Sequence, residues 1–186
     1  LRAEVAALRG RPDKRAAYAD TLATLGLVQA LAKRPAALDT WLAAYRSYAD
    51  LSPHDEATAG AAHNLAVQYQ WRGFFTEAER YYAVAWQIER RLGRDDARQQ
   101  ATRLSQLAKL YEGAARYDFA ARCADQAVRL HSKGNPSAFD LAWAHAAVAR
   151  IAVRAGRLDA ARKAVAAAEQ HQTDNYSMRR AKAIVL

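Results

Sequence analysis

Small and apolar residues recur along this chain at intervals of three, four and seven positions. Leu65, Ala66 and Tyr69 form one such group, and Ala78 and Tyr82 belong to the next. Residues with this spacing lie on one face of an α-helix, so each group predicts an amphipathic helix. The two groups together predict a helix hairpin. No run of alternating β-branched and polar residues predicts a strand.

The same arrangement of apolar residues returns several times. Leu65, Tyr69, Ala78 and Ala85 each have a counterpart 42 residues later, and a further copy follows with an offset of 41. A more degenerate copy lies upstream. The later and earlier copies are marked by Leu107, Tyr111, Ala120, Ala127, Ala149, Ala161 and Ala168, and by Leu22, Leu25, Ala37, Trp41 and Ala44. Because the register is shared, we interpret the chain as a helical repeat.

The repeat predicts an all-α fold, in which about four antiparallel helix pairs form a single domain over residues 1–186. An amphipathic hairpin cannot bury its apolar stripe alone, so consecutive pairs are expected to stack as an α-solenoid with a concave inner surface. The pairs are expected near residues 16–49, 55–91, 95–131 and 138–170, and a last helix is expected near 174–185.

Several residues predict where helices begin and end. Gly73 suits the left-handed residue that ends many helices, and Thr76 with Glu79 three positions later has the pattern of a capping box. The His-Asp-Glu run at 54–56 is the densest polar cluster. It follows a proline at the start of a helix, so its carboxylates are predicted to cap that helix rather than to bind a metal.

The net charge of +9 and the pI near 9.9 would suit an anionic partner. The arginines are scattered over successive helices without a basic run, which favours a solvated exterior over a dedicated anion-binding face. No stretch approaches the ~20 apolar residues that span a bilayer, so we expect a soluble, cytoplasmic protein. Because the chain starts at Leu1 and its one methionine is Met178, we expect a fragment of a longer protein.

No motif for catalysis or cofactor binding is visible. The five histidines show no i, i+4 pairing around a glutamate, and there is no glycine-rich phosphate loop or G-x-S-x-G elbow. Cys123 is the single cysteine, so it cannot complete a redox or metal pair. The sequence therefore predicts a protein that is not an enzyme and has no metal or cofactor.

One stretch carries a family resemblance. The run Asn-Leu-Ala-Val-Gln-Tyr at 64–69, followed by Gly73, Phe75, Ala78 and Tyr82, resembles the small-large-small signature of tetratricopeptide repeats, and the resemblance spans residues 15–170. The 42-residue period is similar to the longer repeat of kinesin light chains and many bacterial regulatory proteins. The resemblance implies a right-handed superhelix in which the first helix of each pair lines a groove for a peptide or partner helix.

Carrying the groove positions of the family onto this sequence gives a set of candidate partner-binding residues. They are His63, Asn64, Val67, Gln70, Trp71, Ser105, Gln106, Lys109, Glu112, Trp143, Ala146, Ala147, Arg150 and Arg154. In the family, amides such as Asn64 and Gln106 hydrogen-bond a bound peptide backbone, although Ala147 interrupts that series. Trp71 and Trp143 would anchor a ligand by their large flat side chains.

Lys109, Arg150 and Arg154 would present positive charge to one stretch of this groove, which suits an acidic peptide or a terminal carboxylate. The leading hypothesis is thus a protein- or peptide-binding scaffold or sensor within a larger bacterial regulatory or signalling protein. One alternative is a basic helical repeat that binds nucleic acid, with Trp71 and Trp143 as stacking residues. Another is a self-association module.

Overall fold

The computed structural model describes residues 1–133 and 137–171, and every regular element within them is a helix. The α-helices are α1 (Arg2–Leu8), α2 (Arg15–Leu31), α3 (Ala37–Leu51), α4 (Glu56–Trp71), α5 (Phe75–Arg91), α6 (Ala97–Gly113), α7 (Tyr117–Lys133), α8 (Ala138–Arg154) and α9 (Leu158–Glu169). A 3-10 turn at Pro12–Lys14 precedes α2. The all-α fold of antiparallel helix pairs is confirmed. The last helix predicted near 174–185 lies outside the described residues.

The helices belong to two compact units, Leu1–Arg94 and the chain from Asp95 onward. In the first unit α2 packs on α3, α3 on α4 and α4 on α5, so each helix contacts its neighbour in sequence. In the second unit α6 packs on α7, α7 on α8 and α8 on α9, and α6 also contacts α8. The single domain expected from the sequence stays a prediction.

The cores of both units are built mainly from alanine. Small side chains let helix backbones approach closely, and alanine gives up no side-chain entropy when it is buried. Among the described residues the larger fully buried side chains include Leu65, Leu110 and Ile151. Fully buried alanines are Ala19, Ala44, Ala62, Ala66, Ala78, Ala85, Ala101, Ala120, Ala142, Ala149, Ala161 and Ala168.

In each helix pair, the turn between the two helices has one residue in the left-handed backbone conformation, at an equivalent position. Gly73 has a φ of 80° and Gly156 a φ of 73°, so the left-handed helix end predicted at Gly73 is confirmed. Lys33 and Ala115 take the same place with φ values of 52° and 57°, although a side chain disfavours that conformation by about 1 kcal/mol. The next residue closes the turn, as where the Phe74 amide donates to the Tyr69 carbonyl over 3.0 Å.

The helix starts agree only partly with the predicted signals. The Asp55 carboxylate accepts a 2.8 Å hydrogen bond from the Thr58 amide and caps α4, as predicted. The capping box predicted at Thr76 and Glu79 is wrong. The helix α5 begins at Phe75, directly after the left-handed turn, and Phe74 at the cap position has no side-chain acceptor. Thr76 is therefore already the second residue of the helix.

Candidate partner-binding surface

Helix α4 separates its small residues from its polar ones. Ala62, Leu65 and Ala66 are fully buried against the rest of the first unit, because they recur with the period of the helix. The candidate residues lie on the remaining face: His63, Asn64, Val67 and Gln70 are half-buried, and Trp71 is 66% exposed. All five are therefore on one helix, next to an apolar stripe that fixes its orientation.

Two of these residues are held by the core residue Tyr82 of α5. The His63 and Tyr82 rings meet edge to face with centroids 5.3 Å apart, and the Tyr82 hydroxyl donates a 2.9 Å hydrogen bond to Gln70 Oε1. Burial lowers the pKa of His63, against a smaller opposing effect of the Glu89 carboxylate. Burial also raises the pKa of Tyr82 to about 12. The neutral phenol of Tyr82 thus holds the side chains of His63 and Gln70 in place through contacts on their core-facing side.

The C-terminal end of α4 borders a surface cavity of about 480 Å³ in the first unit. Trp71 lies on its wall together with residues from α2 and from the turn that follows it. The lining residues are Ala30, Leu31, Lys33, Arg34, Gln68, Trp71 and Arg72. We call this space the turn cavity. Of these lining residues, the sequence predicted only Trp71 as a binding candidate. The adjacent cations Lys33 and Arg34, in a turn directly after the apolar end of α2, were the signal that could have identified the turn cavity.

In the second unit a buried carboxylate lies between two of the predicted groove arginines. The Glu112 side chain on α6 is 3% exposed, and Arg150 on α8 donates a hydrogen bond to its Oε2. Arg154, one turn further along α8, places Nε 3.2 Å from Glu112 Oε1. Arg150 and Arg154 thus share the charge of Glu112 instead of standing free, a pairing that register alone did not reveal. The three side chains together retain a net positive charge.

The other candidates of this unit differ in exposure. Lys109 is exposed on α6, and Trp143 on α8 is 52% exposed and stacks on Phe139 with a centroid distance of 6.2 Å. Gln106 is half-buried, and its Oε1 atom is enclosed without a hydrogen-bond partner. The structure brings Glu112, Arg150 and Arg154 into contact, and it records no such contact among Gln106, Lys109 and Trp143.

The described residues contain neither a cluster of potential metal ligands nor a helix that could span a membrane. No group of three or more His, Cys, Asp or Glu side chains converges within residues 1–133 and 137–171. No helix in this part of the chain has the length and hydrophobicity needed to cross a bilayer. The His-Asp-Glu run at 54–56 instead makes structural contacts: Asp55 caps α4, Glu56 binds Arg94, and His54 contacts Arg91.

Comparisons with known proteins identify the repeat. Residues 57–133 match the family model of the tetratricopeptide repeat. Comparison with curated protein sequences gives no match. BtubC (BKLC) from P. vanneervenii superposes with a TM-score of 0.73 at 18% identity over 88% of this chain, which spans 66% of that one, less than two thirds.

Kinesin light chain TPR-like repeats from Podosopora anserina superpose with a TM-score of 0.58 at 16% identity, over 92% of this chain and 94% of that one. At these identities the solved structures establish a common fold. Tetratricopeptide repeats are generally protein-interaction scaffolds. The family match over residues 57–133, the period of 42 residues and the helix-pair fold agree, and this stretch of the chain is similar to tetratricopeptide repeats.

Proposed function

We propose that this chain binds a protein or peptide along the first helices of its pairs and has no catalytic role. The main support is the division of α4, where small residues fill the core while Asn64, Val67 and Trp71 stay accessible on the other face. Half-buried amides can pair with a peptide backbone, and an exposed tryptophan gives a rigid anchor. Rigid helices hold both kinds of group in place.

We further propose an acidic partner for the second unit. Arg150 and Arg154 share one carboxylate, so one positive charge remains uncompensated there, and Lys109 adds another on α6. Attraction of an acidic segment to such a surface raises the association rate and decreases with added salt. The composition rich in alanine and arginine supports our placement of the chain in a larger regulatory or signalling protein of the bacterial cytoplasm.

Calorimetry against an acidic peptide library tests the proposal. Asn64→Ala is expected to weaken the binding of a peptide selected on the first unit about fivefold, and Lys109→Gln that of an acidic peptide selected on the second unit by a similar factor, which is typical of one accessible interface contact. Gln87→Ala on α5 and Arg129→Gln on α7 are matched controls, since both side chains are exposed on second helices. Equal losses for the test and control variants would place the binding surface elsewhere.

Two further measurements separate the nucleic-acid and self-association hypotheses. If the chain binds peptides and not nucleic acid, it should show no sequence-independent binding of single-stranded RNA at physiological salt. Sedimentation over a concentration series should give a constant mass if the chain does not self-associate. Concentration-dependent assembly that is abolished by Asn64→Ala would assign this surface to a second copy of the chain.

A further inference from the structure

The turn cavity has a composition that a peptide-binding scaffold does not require. Three of its lining residues are cationic, Lys33, Arg34 and Arg72, and no carboxylate lines it. Lys33 and Arg34 form no ion pair among the described residues, so their charges are available to a ligand. The cavity therefore favours an anion.

The lining of the turn cavity also has an apolar and aromatic part. Trp71 is 66% exposed and Leu31 76% exposed, so a large part of each side chain faces solvent. Both residues are large and apolar, and folding leaves them uncovered at the end of their helices. An indole with an open face can stack on a flat ring, and such stacking on a nucleobase contributes about 1–3 kcal/mol.

A buried amide also lines the turn cavity. Gln68 is only 6% exposed and lines the turn cavity. A carboxamide offers a donor and an acceptor together, the combination that pairs with the N6 and N7 edge of adenine. A nucleobase edge in the turn cavity would offer this amide both a donor and an acceptor.

A hydrogen bond joins the two turns that border the turn cavity. The Arg72 guanidinium, at the end of α4, donates to the Pro35 carbonyl in the turn after α2. This contact links the two turns that carry the cations, while Lys33 keeps its left-handed backbone with a φ of 52°. The cavity volume of about 480 Å³ lies within the range of about 300–1,000 Å³ found for small-molecule sites.

We propose that the turn cavity binds an adenine nucleotide, with the base stacked on Trp71 and its phosphates bound by Lys33 and Arg34. The same chemistry could come from a free nucleotide or from the 5′-phosphate end of a single-stranded nucleic acid. This site is separate from the proposed peptide surface except for Trp71, so the two proposals can fail independently.

Calorimetry and tryptophan quenching with ADP, adenosine and inorganic phosphate test the site on the full chain. ADP should bind about tenfold or more tightly than adenosine or phosphate alone, because only ADP offers both a stacking base and a charged group. Lys33→Gln combined with Arg34→Gln should reduce ADP affinity to that of adenosine. These side chains are exposed, so helix content by circular dichroism should be unchanged.

Trp71→Ala should weaken the binding of ADP about tenfold. Trp71→Phe should retain most of the affinity for ADP, because phenylalanine keeps an aromatic face. Trp143→Ala removes the comparably exposed tryptophan of α8 and should leave ADP binding unchanged. A 5′-phosphorylated oligoadenylate that matches ADP and shows the same Trp71 dependence would identify a nucleic-acid end as the source; the 5′-hydroxyl form should then bind about tenfold less tightly.

Equal affinities for ADP and adenosine would overturn the proposal, as would ADP binding that survives Trp71→Ala. An acidic peptide that depends on Lys33 and Arg34 while ADP does not bind would assign the turn cavity to the peptide instead. Loss of peptide binding on Asn64→Ala with ADP binding retained would leave the nucleotide site standing, and the reverse pattern would leave only the peptide surface.

Discussion

Gly26 on α2 makes room for the indole of Trp41 on α3. A Cβ placed at Gly26 would lie 3.0 Å from Trp41 Cε2 and 3.1 Å from Cδ2 and Nε1. Trp41 is buried in the core of the first unit with Leu22 and Leu65, so its ring has little room to move. The close approach of α2 and α3 thus depends on the absence of one methyl group.

Gly26→Ala is expected to destabilise the protein by about 1 kcal/mol. Overpacking a filled core costs about 1–3 kcal/mol, and the better helix propensity of alanine returns up to about 1 kcal/mol. Gly60→Ala is the matched control, because Gly60 is also helical but has no heavy atom within 4 Å of the added Cβ. It should stabilise the protein by up to about 1 kcal/mol. Urea unfolding of both variants measures the difference, and effects of the same sign would contradict the packing argument.

His63 makes stability depend on pH in the acidic range. Burial lowers the pKa of His63 in the folded protein, so the folded state binds a proton less readily than the unfolded chain. Its contribution is therefore fully present above the unfolded pKa of about 6.5 and is lost as the pH falls below that value. We expect His63→Gln to show a smaller loss of unfolding free energy between pH 7.5 and 5.5 than the parent protein. Identical slopes would mean that His63 is equally protonated in both states.

Helices α6 and α8 are joined by the buried Glu112. Its carboxylate is 3% exposed, whereas the Arg150 and Arg154 side chains are 37% and 52% exposed. The carboxylate is thus the buried member of the cluster, and the arginines reach it from the surface. Removing the negative charge would leave two guanidinium groups facing each other across one acceptor.

Glu112→Gln is expected to destabilise the protein by about 2 kcal/mol. Breaking a buried ion pair costs about 3–5 kcal/mol, and the solvent access of the arginines reduces that value. Asp118→Asn removes the negative charge that pairs with Arg157 in an exposed ion pair of the same unit. It should cost less than about 1 kcal/mol. Thermal or urea unfolding compares the two, and equal losses would show that burial of Glu112 adds nothing.

The starts of helices α5 and α6 make a second comparison, between a predicted capping box and an observed one. Asp96 accepts a 2.8 Å hydrogen bond from the Gln99 amide, and the Gln99 side chain accepts one over 3.1 Å from the Asp96 amide. Asp96→Ala should therefore cost about 1 kcal/mol of unfolding free energy. Thr76→Ala should stay within about 0.5 kcal/mol, because Thr76 does not cap α5. A larger loss at Thr76 would restore the capping box predicted from the sequence.

The charge of +9 is spread over a surface where many arginines already have carboxylate partners. Arg94 binds Glu56 with two hydrogen bonds, Arg103 binds Asp95, and Arg157 binds Asp118. Such pairs leave fewer cations for an extended polyanion. The net charge alone is therefore a poor guide to nucleic-acid binding by this chain.

Binding to a blunt duplex DNA with 5′-hydroxyl ends is expected to be weak and to vanish between about 50 and 200 mM salt, as for nonspecific phosphate contacts. Filter binding over a salt series measures this, and the duplex excludes the stacking proposed for the turn cavity. Tight binding that persists at about 200 mM salt would mean that the cations form a continuous face.

The sequence by itself determined the helix pairs, their period and the left-handed turn at Gly73. These depend on the spacing of apolar residues and on backbone conformation near each residue, both of which can be read locally. It also placed the candidate residues of α4 on one face, because a helix fixes that relation. The capping box at Thr76 failed because its start depends on where the preceding turn ends.

Only the tertiary structure decided which side chains meet across helices. Glu112 lies 38 residues from Arg150, and the turn cavity joins Leu31 to Trp71, which no local pattern connects. Such contacts depend on how closely two helices approach and on which rotamers the packing allows. Periodicity fixes the face on which a residue lies, whereas packing between helices determines its partner and whether its charge is free.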